Sequence, residues 1–536
     1  MSVASSIRGK FSRTLTESIL DNPVVVRDLR TRMRGMKGFI TIGAYILLLG
    51  VVEVIALHST VTTGPSMVNQ RVGMSLFETL MWTQTILLGL IVPALTSGSI
   101  TSELEGKTIE MIALTRLTSG RIVLGKALTG FLYSVVLLLS SVPVAALCLM
   151  FGGLSPAEIA ASYCVLLAWV FFASCGGVFW SSLVKRTATA TLIAYGIEVP
   201  YLLFISGLGA NAVYGVASSA VDVPWYSSLC PGWIPFMAAA RAHICSLRFP
   251  IELIPIYLYI LSGILLLFVA VTHVKHFRVD RSLQIRSLFT LLCASLMWLV
   301  TGDYGSVHSI ASGSGGLEII GFPFAAILVV AAIMVTVFAT GPIRTARDSS
   351  AIIYAFSLKK IFRADLGGGI SFLLLWSAVM YGVFALTIRT YPGGIPRTFW
   401  MAYLHMGIAL LSCVLGLASI GFLMSAWNRL RRNAILLYVV IGLVIFIFYP
   451  CMRVNFAPGM SNPHNGVWNI AAFWPLTALD AVAPGNMVDG PSYRWTPDDA
   501  WKAVSFCYLL IATMALLAAS DSWRKRPGVQ ENADAS

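Results

Sequence analysis

Apolar runs of about 20 residues recur along the chain, separated by shorter segments that gather Lys, Arg, Gly and Pro. As a helix, a run of about 20 residues crosses a hydrocarbon core about 30 Å thick. The runs fall near 38–57, 75–97, 127–150, 159–184, 188–208, 251–272, 287–302, 317–340, 367–387, 398–427, 435–450 and 501–520. A helix satisfies all its own backbone groups in lipid, so helices are the expected spanning element. The pattern therefore predicts an all-α fold: a polytopic helical membrane protein of about 12 transmembrane helices.

Composition excludes a soluble alternative. Of 536 residues, 57% are hydrophobic and 11% charged, against about 25% charged in a soluble domain. The mean hydropathy is +0.80. The net charge of +13 could suggest nucleic acid, but its distribution points to lipid. With the N-terminus placed in the cytoplasm and the runs alternating, 29 of the 37 Lys and Arg fall on inner segments. They include eight before the first run and Arg524, Lys525 and Arg526 after the last. The positive-inside rule then puts both termini in the cytoplasm, beside anionic lipid heads. Nucleic acid is not an expected partner. The first 37 residues are too polar for a cleavable leader.

Two inner segments carry patterns of their own. Asn22-Pro23 reads as a helix cap followed by Pro at the first helical position. Val25, Val26, Leu29, Met33 and Met36 then recur at helical spacing among Arg27, Arg30, Arg32 and Arg34. That is a basic amphipathic helix for the membrane interface. The second segment, 98–126, reads GSITSELEGKTIEMIALTRLTSGRIVLGK. It is too polar to span and too patterned for a linker. On the outer side, 209–250 and 451–500 are rich in Pro, Gly, Trp and Tyr.

Residues 91–126 resemble the cytoplasmic loop between the second and third helices of ABC-2 type permeases. The matching residues are Glu103, Glu105, Thr108, Leu114, Thr115, Leu117, Ile122, Val123, Gly125 and Lys126. The segment 22–35, NPVVVRDLRTRMRG, is similar to that family's opening helix, and the resemblance covers residues 20 to 280. One departure is Gly106-Lys107, where the family more often has a charged residue and then Gly. The resemblance implies a separate ATP-binding cassette ATPase subunit, docked against 98–126. Glu103, Glu105, Thr108, Glu110 and Arg116 are the coupling candidates. Ile109, Ile112 and Leu117 would anchor the contact, and an interfacial loop without a partner is the competing reading. No cofactor is expected here, because ATP and magnesium would be bound by the partner.

Gly120 to Lys126 mimics a phosphate-binding loop. Ala127 stands where Ser or Thr must hold magnesium, and no strand precedes it, so this chain is not expected to be an enzyme. An intramembrane carboxylate is a functional candidate by default. Glu198 and Glu53 are therefore conduit candidates, against a helix–helix hydrogen bond for Glu198 and snorkelling for Glu53. Pro93, Pro143 and Pro200 are candidate helix kinks. Ala173, Gly177 and Ser181 allow close helix approach, within the chain more readily than between copies. His273 and His276 lack a third ligand, so no metal site is expected. A Cys230–Cys245 pairing is left open.

The expected organisation is an amphipathic segment 1–37, a permease unit 38–280 with the coupling loop 98–126, a second six-span unit 281–520, and a tail 521–536. PGWIPFMAAA at 231–240 and AAFWPLTALD at 471–480 hint at a diverged repeat. The expected function is the membrane subunit of an ABC-2 type transporter in a bacterial cytoplasmic (inner) membrane. Its partners would be the ATPase, the bilayer and, on one reading, a second permease copy. An ion-coupled secondary transporter using Glu198 or Glu53 is the second class. A membrane-embedded enzyme with its site in the outer loops ranks last.

Overall fold

The structure, a computed structural model, describes residues 22–34, 36–62, 68–108, 118–216, 225–237, 241–244, 247–273, 282–302, 369–389, 397–427 and 497–524, with 327, 330 and 331. The chain divides into two compact units: 1–243 with 247–292, and 244–246 with 293–536.

The first unit opens with α1 (Pro23–Met33), whose cap is Asn22 as the sequence predicts: the Asn22 side chain accepts from the Val24 amide. Long helices follow: α2 (Met36–Thr62) and α3 (Val68–Thr96), then the single turn α4 (Thr101–Glu105). Next come α5 (Ser119–Met150), α6 (Pro156–Leu183), α7 (Thr187–Val216) and α8 (Leu253–His273). Helix α6 starts at a capping box, with Ser155 and Glu158 each bonded to the other's amide. Helix α3 is the centre of the packing and touches α2, α5, α6 and α7. Phe77, Leu80, Met81 and Leu88 of α3 are fully buried against Leu137, Leu138, Leu166 and Trp169.

The end of α3 is wedged between two glycines. A Cβ at Gly177 would lie 1.9 Å from the Thr96 hydroxyl, and one at Gly130 would lie 2.2 Å from its methyl. Ala173, Gly177 and Ser181 thus form a seam inside the chain. The Ser181 hydroxyl accepts from the Ile100 and Thr101 amides at 3.0 and 3.1 Å. Backbone donors left open at the start of α4 are therefore satisfied, and α4 is held against α6.

Two short 3-10 turns, Trp225–Leu229 and Pro231–Met237, lie against α3 and α7. Trp233 meets Trp82 edge-on at 5.1 Å. A two-stranded ribbon pairs β1 (Arg241–Ile244) with β2 (Leu247–Pro250), a small exception to the all-helical expectation. Cys230 is a buried free thiol, and Cys245 lies outside the described residues.

Helix α9 (Ser282–Gly302) follows in the chain. In the second unit, α10 (Gly369–Arg389) packs on α11 (Arg397–Trp427), and α11 packs on α12 (Pro497–Arg524). Tyr381 and Tyr403 stack at 4.1 Å, each hydroxyl donating to the other residue's carbonyl. Tyr508 fills the space beside Gly416.

Among the described residues, eight helices are long and apolar enough to cross a membrane, and two shorter apolar helices cover 284–300 and 505–520. Their outward faces are apolar. Phe39 and Leu192 are each 74% exposed, with Leu47, Leu203 and Phe204 close behind. A soluble protein does not show such continuous apolar surface, and lipid covers it. The chain is a multi-pass membrane protein. The expected spans 317–340 and 435–450 fall outside the described residues, apart from 327, 330 and 331, as does the motif at 471–480.

Candidate functional site

The motif residues at the two ends of 98–126 come together. Helix α5 begins at Ser119 and is capped by Thr118, whose side chain accepts from the Arg121 amide. It therefore starts eight residues before the apolar run expected at 127. This extension carries Lys126 to the end of α3, where α4 carries Glu103. The Lys126 ammonium lies 2.6 Å from Glu103 Oε1 and 2.7 Å from Asp28 Oδ2 of α1. Arg27 closes the ring, with Nη2 2.9 Å from Glu103 Oε1 and Nε 2.9 Å from Asp28 Oδ1. Two cations thus meet two carboxylates from three different elements. The Lys126 side chain is only 7% exposed. Burial alone would raise the Asp28 carboxyl, but the Lys126 ammonium and the Arg27 guanidinium outweigh it and hold it below its ordinary value.

Gly125 explains how α1 reaches this ring. A Cβ there would lie 3.0 Å from Asn22 Nδ2 and 3.0 Å from the Val24 Cβ. Asn22 Nδ2 also donates to the Arg121 carbonyl at 2.7 Å. Arg32, one further turn along α1, donates from Nη2 to the Leu95 carbonyl at 2.6 Å. Its cation sits at the negative end of the α3 dipole. The amphipathic segment is thus two-faced. Val24, Val25, Asp28, Leu29 and Arg32 turn toward the protein, while Val26, Met33 and Met36 stay exposed. The sequence pattern put Val25, Val26, Leu29, Met33 and Met36 in one apolar series, but Val25 and Leu29 turn inward and the other three stay exposed; it gave no role to Asp28, the lone acid in a basic helix.

The other motif residues divide the work. Glu105 accepts from the Thr187 amide at 2.9 Å and from its hydroxyl at 2.8 Å. It thereby caps the first turn of α7 and ties α4 to that helix. The Thr108 amide and hydroxyl both donate to the Glu103 carbonyl, at 3.0 and 3.3 Å. Between them Lys107 takes a left-handed conformation, φ 53°. Glu103 and Glu105 were expected to offer their carboxylates to a partner; here both bond within the chain. Ser102, Gly106, Lys107 and Thr108 are exposed. Glu110, Arg116, Ile109, Ile112, Leu114, Thr115 and Leu117 lie outside the described residues. Residues 120–126, the phosphate-loop mimic, are helical throughout.

The conduit candidates stand apart from this ring. Glu53 is on α2, and Glu198 is on α7 two residues before Pro200. Both Glu53 oxygens and Oε1 of Glu198 are buried without a hydrogen-bond partner. Neither carboxylate joins a described ion pair, and no described bond links the two. Glu78 of α3, a third acid within a candidate span, drew no notice in the sequence because its run begins with polar residues.

No protein-family model, no curated protein and no solved structure matches the chain.

Proposed function

We propose that this chain is the membrane-spanning subunit of an ABC-2 type transporter, moved by a separate ATP-binding subunit. The observation that carries the reading is the ring of Asp28, Arg27, Glu103 and Lys126. It joins α1, α4 and α5, while Glu105 joins α4 to α7. A push on 98–108 is thereby delivered to three further helices, α1, α5 and α7, at once, as a handle for an external motor requires. The left-handed residue supplies separate support. It falls at Lys107, the position where the resembled family more often has Gly, and a left-handed turn is what Gly serves.

On this reading the chain has about 12 spans and cytoplasmic termini. It sits in the cytoplasmic membrane of a bacterial cell and moves an unidentified substrate. The partner binds ATP and magnesium, the bilayer surrounds the helices, and a second permease copy can complete the assembly. The exposed face of Ser102, Gly106, Lys107 and Thr108 meets the motor, while Glu103 and Glu105 act behind it as positioning residues. The test is cross-linking in cells from a photoreactive side chain at position 107. An adduct with a protein that carries a phosphate-binding loop supports the reading. Adducts with lipid alone contradict it.

The unpaired carboxylates of Glu53 and Glu198 favour a second reading, an ion-coupled transporter in which they carry protons. Transport that stops when the proton gradient is collapsed, with ATP intact, would select it.

A further inference from the structure

Inside the first unit, away from the charged ring, four helices each bring one polar side chain to a common point. They are Tyr45 of α2, Gln84 of α3, Ser141 of α5 and Tyr163 of α6. Gln84 and Ser141 are fully buried, and Tyr45 is 4% exposed. Gln84 Nε2 donates to Ser141 Oγ at 2.9 Å and to the Tyr163 hydroxyl at 3.2 Å. Ser141 Oγ and the Tyr163 hydroxyl are 2.9 Å apart, and Ser141 donates to the Leu138 carbonyl at 2.7 Å.

Counting protons closes this set. The Ser141 proton goes to Leu138, so Ser141 accepts from Gln84 and from Tyr163. That fixes the Gln84 amide with its nitrogen toward the hydroxyls. Both amide protons and the Tyr163 proton are then used. Two groups stay unmatched: Gln84 Oε1 accepts from no described residue, and the Tyr45 hydroxyl lies near Ser141 without a hydrogen bond. The walls are apolar, formed by Leu49, Leu80, Met81, Leu137 and Leu166.

We propose that Tyr45, Gln84, Ser141 and Tyr163 form a binding site within the helix bundle for a neutral hydroxyl or amide donor. The guest donates to Gln84 Oε1 and makes its second contact with the Tyr45 hydroxyl. A buried polar group is normally bonded, and two exceptions on side chains that both lie beside Ser141 call for a shared partner. The chemistry is neutral because the layer holds no charge. The nearest acid on the same face of α2, Glu53, is two turns away, about 12 Å at 1.5 Å per residue, with buried Leu49 between. A bare ion there would lose its water for neutral dipoles alone. Two sources supply such a donor, a trapped water or a hydroxyl or amide of the transported molecule. Only the second rests on the transporter reading.

Tyr45→Phe separates the outcomes, because it removes a hydroxyl that bonds to no described residue. The protein is the full chain in lipid discs, followed by thermal unfolding, a density map of the wild type, and mass spectrometry of small molecules released on denaturation. An occupied site predicts that Tyr45→Phe lowers Tm by about 2 °C and that the map shows density within hydrogen-bond reach of Gln84 Oε1. The same results with no released compound assign the guest as water. A released hydroxyl or amide compound, lost in Tyr45→Phe, assigns it as cargo. An unchanged or raised Tm, with no density at Oε1, overturns the proposal, and the wild-type map decides alone if the variant does not fold. Failure to find an ATPase partner would leave these results standing.

Discussion

Charges are handled in opposite ways in two regions of the first unit. Where α1, α4 and α5 meet, Arg27, Asp28, Glu103 and Lys126 each face an opposite charge within 3 Å. On α2 and α3, Glu53 and Gln84 keep buried oxygens that accept nothing from the described residues. The first arrangement costs little to hold, because attraction offsets desolvation and the ring borders water. The second is a standing cost, since a buried polar group without a partner loses its hydration with no return. Paired charges are therefore read as structure that transmits force. Unpaired ones are read as groups kept for a guest or a proton.

The largest effect that would break this contrast is at Lys126. Lys126→Met leaves two carboxylates facing each other with Arg27 alone between them. It should cost about 3 kcal/mol, the lower part of the range for breaking a buried pair, read as thermal unfolding in lipid discs. The double variant with Glu103→Gln should cost less than the two single changes together, because the two groups touch. A smaller effect of opposite sign is expected at Lys107, where Gly accepts the left-handed backbone. Lys107→Gly should gain about 1 kcal/mol in the same measurement.

The ring also gives a pH signature. Asp28 is held below its ordinary value of 3.8. A depressed carboxyl contributes its stability fully above that value and loses it as the pH falls through the folded one. Unfolding followed down from pH 5 should therefore steepen below 3.8, and Asp28→Asn should flatten the curve. The smallest effect belongs to the other region. Glu53→Gln replaces a buried carboxylate that has no described partner with a neutral amide, so stability should hold or rise, by less than about 1 kcal/mol. A loss as large as that of Lys126→Met would erase the distinction between the two regions.

Much of the helical layout was legible because apolar length is a local property. Runs such as 159–184 and 398–427 coincide with α6 and α11 to within three residues. Asn22-Pro23 marked its helix start correctly, because capping depends on adjacent residues. The misplaced end was that of α5. Arg121 and Lys126 read as loop, since charge stops an apolar run, yet a helix continues past lipid when its charges find partners. The site itself was half visible. Glu103 and Lys126 stood out as members of a spaced motif, but their pairing, and that with Asp28, is tertiary: Lys126 and Asp28 are 98 residues apart. The Gln84 layer left no trace in the pattern, because Gln, Ser and Tyr scattered in apolar runs look like ordinary tolerated residues.

The account depends on 98–108 being the face that a cytosolic motor grips. The direct measurement is labelling of Lys107→Cys with a membrane-impermeant maleimide, in intact cells and in inverted membrane vesicles, with exposed Cys164 replaced by Ser. The account predicts labelling in inverted vesicles, blocked when the ATPase partner is bound, and none in intact cells. Labelling in intact cells alone would place the segment on the outer face and contradict it.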